Sequence, residues 1–190
     1  MSRKRAWRGT TSYGYEYLGM LKAAIVLALI LSPTPAFGED LTEEETLRGL
    51  GGVMPIVEEL HEDAKNIGLS RNTLEHDVAE KLEKAGITIL SAEERMANVR
   101  RPYLYVNCNV VYVESIKLAS FSIDVEVHQR VRLADGDMAQ GLTWAKTYLG
   151  IQGQAKAASK IREVVGGFID EFIAASTKKD EKDPAGASGR

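Results

Sequence analysis

The sequence predicts an α+β domain, in which helices pack on a sheet of about five strands with an antiparallel meander at its heart. Apolar and polar residues alternate over 119–133, as in a strand with one buried and one solvated face. Apolar residues recur every three or four positions over 154–175, as in an amphipathic helix. Strand-like, helical and strand-like segments follow one another over 50–90, as in a parallel crossover. The predicted order is β-α-β-β-β-β-α, within a single domain at 50–175.

The first predicted strand covers residues 50–60 and contains Pro55. Proline has no N–H for a ladder hydrogen bond, so this strand is expected at a sheet edge or at a bulge. The acidic residues 39–49 ahead of it predict a loose lead-in or a frayed turn of helix.

The clearest helical pattern covers residues 70–85 and is followed by Gly86, a residue typical of helix C-termini. Its N-cap is Ser70 or Asn72. A short strand is predicted over 87–90. The apolar stripe of the helix is formed by Leu74, Val78 and Leu82.

Three strands and a long helix are predicted in the second half of the chain. The strands cover 103–113, 119–133 and 139–149, and the helix covers 154–175. Val131 and Leu133 share the apolar face of the middle strand. Residues 176–190 are polar without apolar periodicity, which predicts a disordered tail.

The N-terminus carries the pattern of a cleaved export signal. Residues 23–31 form an apolar run that is too short to span a bilayer and has basic residues upstream of it. Ala36-Phe37-Gly38 places small residues at a cleavage site before Glu39. We therefore expect residues 1–38 to be a signal peptide, with translation starting at Met1 or Met20. The expected location is the periplasm or the extracellular space, and an uncleaved membrane anchor is the alternative.

The composition of the exported part argues against several classes of partner. The whole chain has 24 basic and 27 acidic residues, of which five basic and one acidic lie in residues 1–38, leaving a net charge of −7. An acidic domain without a basic stripe is not expected to bind nucleic acid or anionic membranes. Cys108, the one cysteine of the chain, can form no internal disulfide and is predicted to be a buried, inert thiol.

No catalytic, cofactor or metal-binding motif occurs in the sequence, including the G-x-S-x-G, C-x-x-C, H-E-x-x-H and Walker patterns. His61 and His76 stand beside carboxylates, but a charged, solvated surface accounts for both. We therefore expect no catalytic residue, no cofactor and no metal, and a protein that is not an enzyme.

A candidate interaction surface is predicted on the sheet. One part is the polar face of strand 119–133, where Asp124, Glu126, His128, Arg130 and Arg132 concentrate polar groups; a solvated sheet face is the alternative. The other part is Trp144 and Tyr148, which are four residues apart on one face of the last strand. Exposed aromatics would form a recognition surface, whereas core packing is the other explanation of their spacing.

The element order over residues 50–175, with the segment LEHDVAEKLEKAGITIL and its Ala85-Gly86-Ile87 helix end, resembles small exported α/β domains of the bacterial envelope. The N-terminal domain of TolB and the regulatory domains of penicillin-binding-protein activators are of this kind. The resemblance implies a protein-binding module without catalysis and assigns no residues.

These observations predict an exported cell-envelope protein that binds another envelope protein through a sheet edge or sheet face. The alternative is a periplasmic or secreted protein that binds a small ligand or glycan. That alternative requires a concave apolar pocket with convergent polar groups, and it would be favoured if Tyr103, Tyr105, Trp144 and Tyr148 lined one cavity.

Overall fold

The computed structural model describes residues 41–178. The predicted signal peptide 1–38 and the last twelve residues, 179–190, lie outside the described residues. A 3₁₀ turn at Glu114–Ile116 connects β2 to β3. In chain order the other elements are α1 (Glu43–Thr46), β1 (Met54–Val57), α2 (Asp63–Asn66), α3 (Arg71–Lys84), α4 (Ala92–Ala97), β2 (Tyr103–Val113), β3 (Leu118–Arg132), β4 (Met138–Gly153) and α5 (Gln154–Thr177).

The α+β class is confirmed, but the details of the predicted sheet are not. The described residues form a four-stranded sheet in the order β1-β2-β3-β4. It is a mixed sheet, because β1 pairs with β2 in parallel whereas β3 is antiparallel to both β2 and β4. The expectation of five strands arranged around an antiparallel meander was therefore not confirmed.

The missing strand is the segment predicted at 87–90. It is reduced to one parallel bridge between Val53 and Ile89. Two hydrogen bonds form this bridge: the N–H of Val53 donates to the carbonyl of Thr88, and the N–H of Leu90 donates to the carbonyl of Val53. The ladder cannot extend further, because Ser91 already caps α4 and begins a helix at the next residue. β1 then takes β2 as its neighbour, with Pro55 in an edge strand, where a missing N–H is tolerated.

One face of the sheet is covered by α3 and α5. The strands alternate cleanly, and the apolar side chains on this face are at most 3% exposed from Leu104 to Val110 of β2 and from Ala119 to Val127 of β3. α5 crosses the sheet through Ile161, Val165, Ile169 and Phe172, all buried. Phe172 meets the ring of Trp144 on β4 edge-on, with centroids 6.1 Å apart. This sheet–helix layer is the hydrophobic core.

Segments on either side of the predicted domain also belong to the packed fold. Thr42 and Glu45 form a capping box on α1, and Leu47 after it is fully buried. The Arg100 guanidinium donates to the carbonyl of Arg48 at 2.6 Å and so fastens this segment to the sheet. Of the two alternatives predicted for residues 39–49, the described part therefore has the turn of helix and not the loose lead-in. At the other end, α5 continues through Thr177, so the predicted tail does not begin at 176.

The inward pattern predicted for β3 fails at its end. Val131 is half-buried and Leu133 is 46% exposed, although both were expected to share the core face. The register of β3 against β4 shifts between Val127 and His128, which is the signature of a β-bulge. Beyond it Gln129 is the buried residue of β3, and its side chain donates to the hydroxyl of Thr143 and to the carbonyl of Thr46.

No helix among residues 41–178 is both long enough and apolar enough to cross a membrane.

Candidate functional site: the open face of the sheet

The side of the sheet opposite α3 and α5 is called here the open face. Because side chains alternate along a strand, its members are the residues that point away from the core. Strand pairing aligns them in rows across β2, β3 and β4. From one end to the other, the rows are Tyr103–His128–Leu142, Tyr105–Glu126–Ala145, Asn107–Asp124–Thr147, Asn109–Ser122–Leu149, Val111–Ser120–Ile151 and Val113–Leu118–Gly153.

One end of the open face is a polar band. His128 Nε2 lies 2.7 Å from a carboxylate oxygen of Glu126. The His128 ring stacks on Tyr103, with centroids 4.7 Å apart and planes 3° from parallel. The Arg95 guanidinium from α4 lies 5.0 Å from the centroid of the same tyrosine ring. These contacts hold four side chains from three elements in one fixed arrangement.

The polar band continues along the next two rows. The Tyr105 hydroxyl donates to the carboxylate of Glu58, and this hydrogen bond raises the pKa of Tyr105 to about 12. The Thr147 hydroxyl donates to Asp124 across the strand pair at 2.8 Å. The phenol stays protonated at any physiological pH, so the hydroxyl serves as a fixed hydrogen-bond donor and not as an acid catalyst.

The other end of the open face is apolar and exposed. Leu149 is 78% exposed and Ile151 is 72% exposed, while Val111 is 57% exposed in the same row as Ile151. Val113 and Leu118 extend the group to the hairpin end. We call these five residues the apolar end. Contiguous exposed apolar side chains of this kind mark interaction sites, whereas isolated ones do not.

The predicted site residues fall into three groups. Asp124, Glu126 and His128 lie on the open face, in the polar band. Arg130 and Arg132 are exposed beyond the bulge, where the N–H of Arg130 donates to the carbonyl of Arg100 and the Arg132 guanidinium donates to that of Gly136.

Trp144 and Tyr148 do not belong to this surface. They pair with Val127 and Ile123 of the core face, so Trp144 is only 1% exposed and Tyr148 is half-buried against Phe121. Their shared strand parity places both beneath the helix layer, and core packing is the correct explanation of their spacing.

Leu149, Ile151 and Val111 are not among the interaction residues predicted from the sequence. The signal was available, because each has the strand parity of the polar face and yet is apolar. An apolar residue at a solvent-facing position of an alternating strand is an exception to the binary pattern.

The four aromatics that would favour the small-ligand alternative by lining one cavity do not do so. Tyr103 and Tyr105 lie on the open face, whereas Trp144 and Tyr148 lie on the core face. A groove of about 350 Å³ runs between α3 and α5 instead. It is flanked by ion pairs of Arg162 with Asp77 at 2.6 Å and of Lys81 with Asp170 at 2.6 Å. Ion pairs as exposed as these contribute little to stability.

Cys108 is not an activated nucleophile, and the described residues contain no metal cluster. Burial of Cys108 and the nearby negative charge of Asp124 raise the pKa of the thiol to about 12, which keeps it protonated. Within residues 41–178 no group of three or more His, Cys, Asp or Glu side chains is placed to hold a metal ion. The His61 ring reaches Asp63 alone, at 3.6 Å.

The chain matches no protein-family model and no curated protein. Among solved structures it is similar to a single-substitution variant of the PelC dodecamer from Paraburkholderia phytofirmans, with a TM-score of 0.40 and 15% sequence identity. The match covers 65% of this chain and 90% of that chain. A likeness at this level carries no argument about function, which has to be argued from the surface of this chain itself.

Proposed function

We propose that the chain is an exported cell-envelope protein, without catalytic activity, that binds another envelope protein through the open face of its sheet. The observation that carries this proposal is the exposed apolar end, which lies on the same surface as the polar band. The signal-peptide pattern of residues 1–38 supports the location. The resemblance to envelope α/β domains supports a binding role.

The two ends of the open face have different parts in this proposal. Full burial of a Leu or Ile side chain contributes about 1.5–3 kcal/mol, so Leu149 and Ile151 would supply much of the affinity. The polar band would supply specificity, because a partner has to match hydrogen-bonding groups that Glu126, His128 and Asp124 hold in place. A flat surface with an apolar anchor and a polar flank suits a protein partner better than a small molecule.

Site-specific photo-crosslinking in intact cells tests this function. A benzophenone amino acid replaces Ser120, which lies between Val111 and Ile151 on the open face. The matched control replaces the exposed Ser159 on the helix layer. We expect one discrete crosslinked protein from position 120, none from 159, and a bait whose intact mass begins at Glu39.

A second substitution makes the assay specific to the apolar end. Val111→Asp adds a charge beside the crosslinker and should reduce the yield at least tenfold, since binding would have to desolvate a carboxylate. Equal crosslinking from both serines, or none from either, would contradict the proposed surface. A processed bait with no crosslinked protein would favour a small ligand.

A further inference from the structure

β4 forms an edge of the sheet and is the longest strand in the described residues, with 16 residues. Its inner side pairs with β3 along its whole length. The only register shift between the two strands lies where β4 passes Val127 and His128 of β3. The stretch of β4 from Trp144 to Gly153 is therefore a regular strand. A long regular edge strand is a template for pairing with another strand.

Backbone alternation defines which groups of β4 face outward. The N–H of Gln154 donates inward to the carbonyl of Lys117, so residues of the opposite parity direct their N–H and C=O groups to the free edge. The hydroxyl of Thr46 donates to the outward carbonyl of Thr143 at 3.1 Å. The outward N–H of Gly153 donates to the side chain of Gln152.

Between these two contacts lies a bare stretch of edge. Its outward residues are Ala145, Thr147, Leu149 and Ile151, and no hydrogen bond to this edge comes from any other described residue. Leu149 and Ile151 are also highly exposed, as expected if no described residue covers this edge. The edge is capped at both ends and open in the middle.

Most of the usual protections of an edge strand are missing along this stretch. There is no proline and no bulge from 144 to 153. The one charged residue is Lys146, and its side chain belongs to the core-facing parity, where it pairs with Glu171 at 3.1 Å. A regular, partly apolar edge whose one charge is paired is an association site when it is left in water.

We propose that a second copy of this chain occupies the edge, through antiparallel pairing of β4 with β4 about a two-fold axis beside Tyr148. In this register Ala145 faces Ile151 of the other copy and Thr147 faces Leu149, so each outward group finds a partner. A smaller side chain lies opposite a larger one in each pair. In a symmetric dimer β4 of one copy faces β4 of the other, so like charges on this edge would repel each other. The outward residues of this edge carry no charge.

Pairing would join two four-stranded sheets into one and place the Leu149 side chains of the two copies diagonally across the axis from each other. The interface is short, so we expect a reversible, concentration-dependent dimer. The inference does not rest on the proposed function, because it concerns the strand edge and is tested by oligomeric state in the absence of other proteins.

Sedimentation equilibrium of the purified full chain over about two decades of concentration is the first test. We expect a monomer–dimer equilibrium, which Leu149→Lys weakens at least tenfold by placing lysines on both sides of the axis. The matched control, Val111→Lys, adds the same charge to the open face two strands inward and should leave the equilibrium within about twofold. Circular dichroism confirms that both variants are folded. A monomer at every concentration would overturn the proposal, as would dissociation by Val111→Lys alone.

Cysteine pairing tests the register, in a Cys108→Ala background. Facing residues of a hydrogen-bonded antiparallel pair have Cα atoms about 5.5 Å apart, within the range of a disulfide. An oxidised mixture of Thr147→Cys and Leu149→Cys proteins should form a crosslinked heterodimer, and each protein alone should form at least fivefold less. Crosslinking that is equal in the single-variant samples and the mixture would refute this register.

Discussion

Phe172 is expected to be the residue of α5 on which attachment of the helix to the sheet depends most. Its side chain is fully buried, and its ring meets Trp144 edge-on with centroids 6.1 Å apart. Phe172→Ala removes the buried ring, with a transfer cost of about 2 kcal/mol. A cavity of roughly 100 Å³ at about 24 cal/mol per Å³ adds ~2 kcal/mol if it does not relax. We therefore expect the free energy of unfolding to fall by about 3–5 kcal/mol.

The matched control is Phe168→Ala, one turn earlier on α5, where the phenylalanine is only half-buried. It should cost less than half as much, because part of its ring is already in water. Urea unfolding followed by circular dichroism gives both values. A double-mutant cycle of Phe172→Leu with Trp144→Leu should give a coupling of about 0.5–1.5 kcal/mol. Equal costs at 168 and 172, or no coupling, would refute the packing described for α5.

Two further predictions concern backbone conformation and thiol chemistry. Gly52→Ala should destabilise far more than Gly49→Ala in the same urea assay: both have positive φ, but a Cβ at 52 would lie 2.7 Å from the Thr88 carbonyl oxygen, whereas at 49 it meets open space. Native Cys108 should resist Ellman's reagent at pH 9 and react at once in denaturant. Its pKa of about 12 in the folded state lies above the value of 9 in the unfolded chain. The contribution of this thiol to the free energy of unfolding is therefore fully present below pH 9 and is lost as the pH rises towards 12. Cys108→Ala should remove that part of the slope, at most about 1.4 kcal/mol per pH unit.

Sequence patterns predicted the elements whose stability is local. The strand predicted at 103–113 coincides with β2, and the helix predicted at 70–85 differs from α3 by one residue at each end. Both are delimited by residues with strong local preferences, such as the Ser70 cap, whose side chain accepts from the N–H of Thr73. For these elements periodicity and capping point to the same boundaries.

Strand pairing depended on residues distant in sequence and could not be predicted in the same way. The segment at 87–90 reads as a strand, yet among the described residues Val53 is its sole bridge partner, because Ser91 already caps the next helix. Strand parity predicted that Trp144 and Tyr148 share one face of the sheet, but it did not predict which of the two faces that is. Which face α5 would cover was decided by tertiary packing, and that choice made Trp144 a core residue.

The open face raises the question of why β4 has Leu149 and Ile151 at positions that face water. Folding does not explain them, because both side chains remain mostly exposed and lie outside the core cluster. Thr147 occupies the same parity two residues earlier and bonds to Asp124, which shows that a polar side chain fits this row of the strand. A polar residue at 149 or 151 would therefore leave the core intact and would protect the edge from association. Two exposed apolar residues, on an edge strand whose backbone groups are also free, are better explained by association than by stability. The apolar end and the bare edge then belong to one surface. A second copy would pair with the backbone groups of β4, and a partner protein would bind the side chains of the open face.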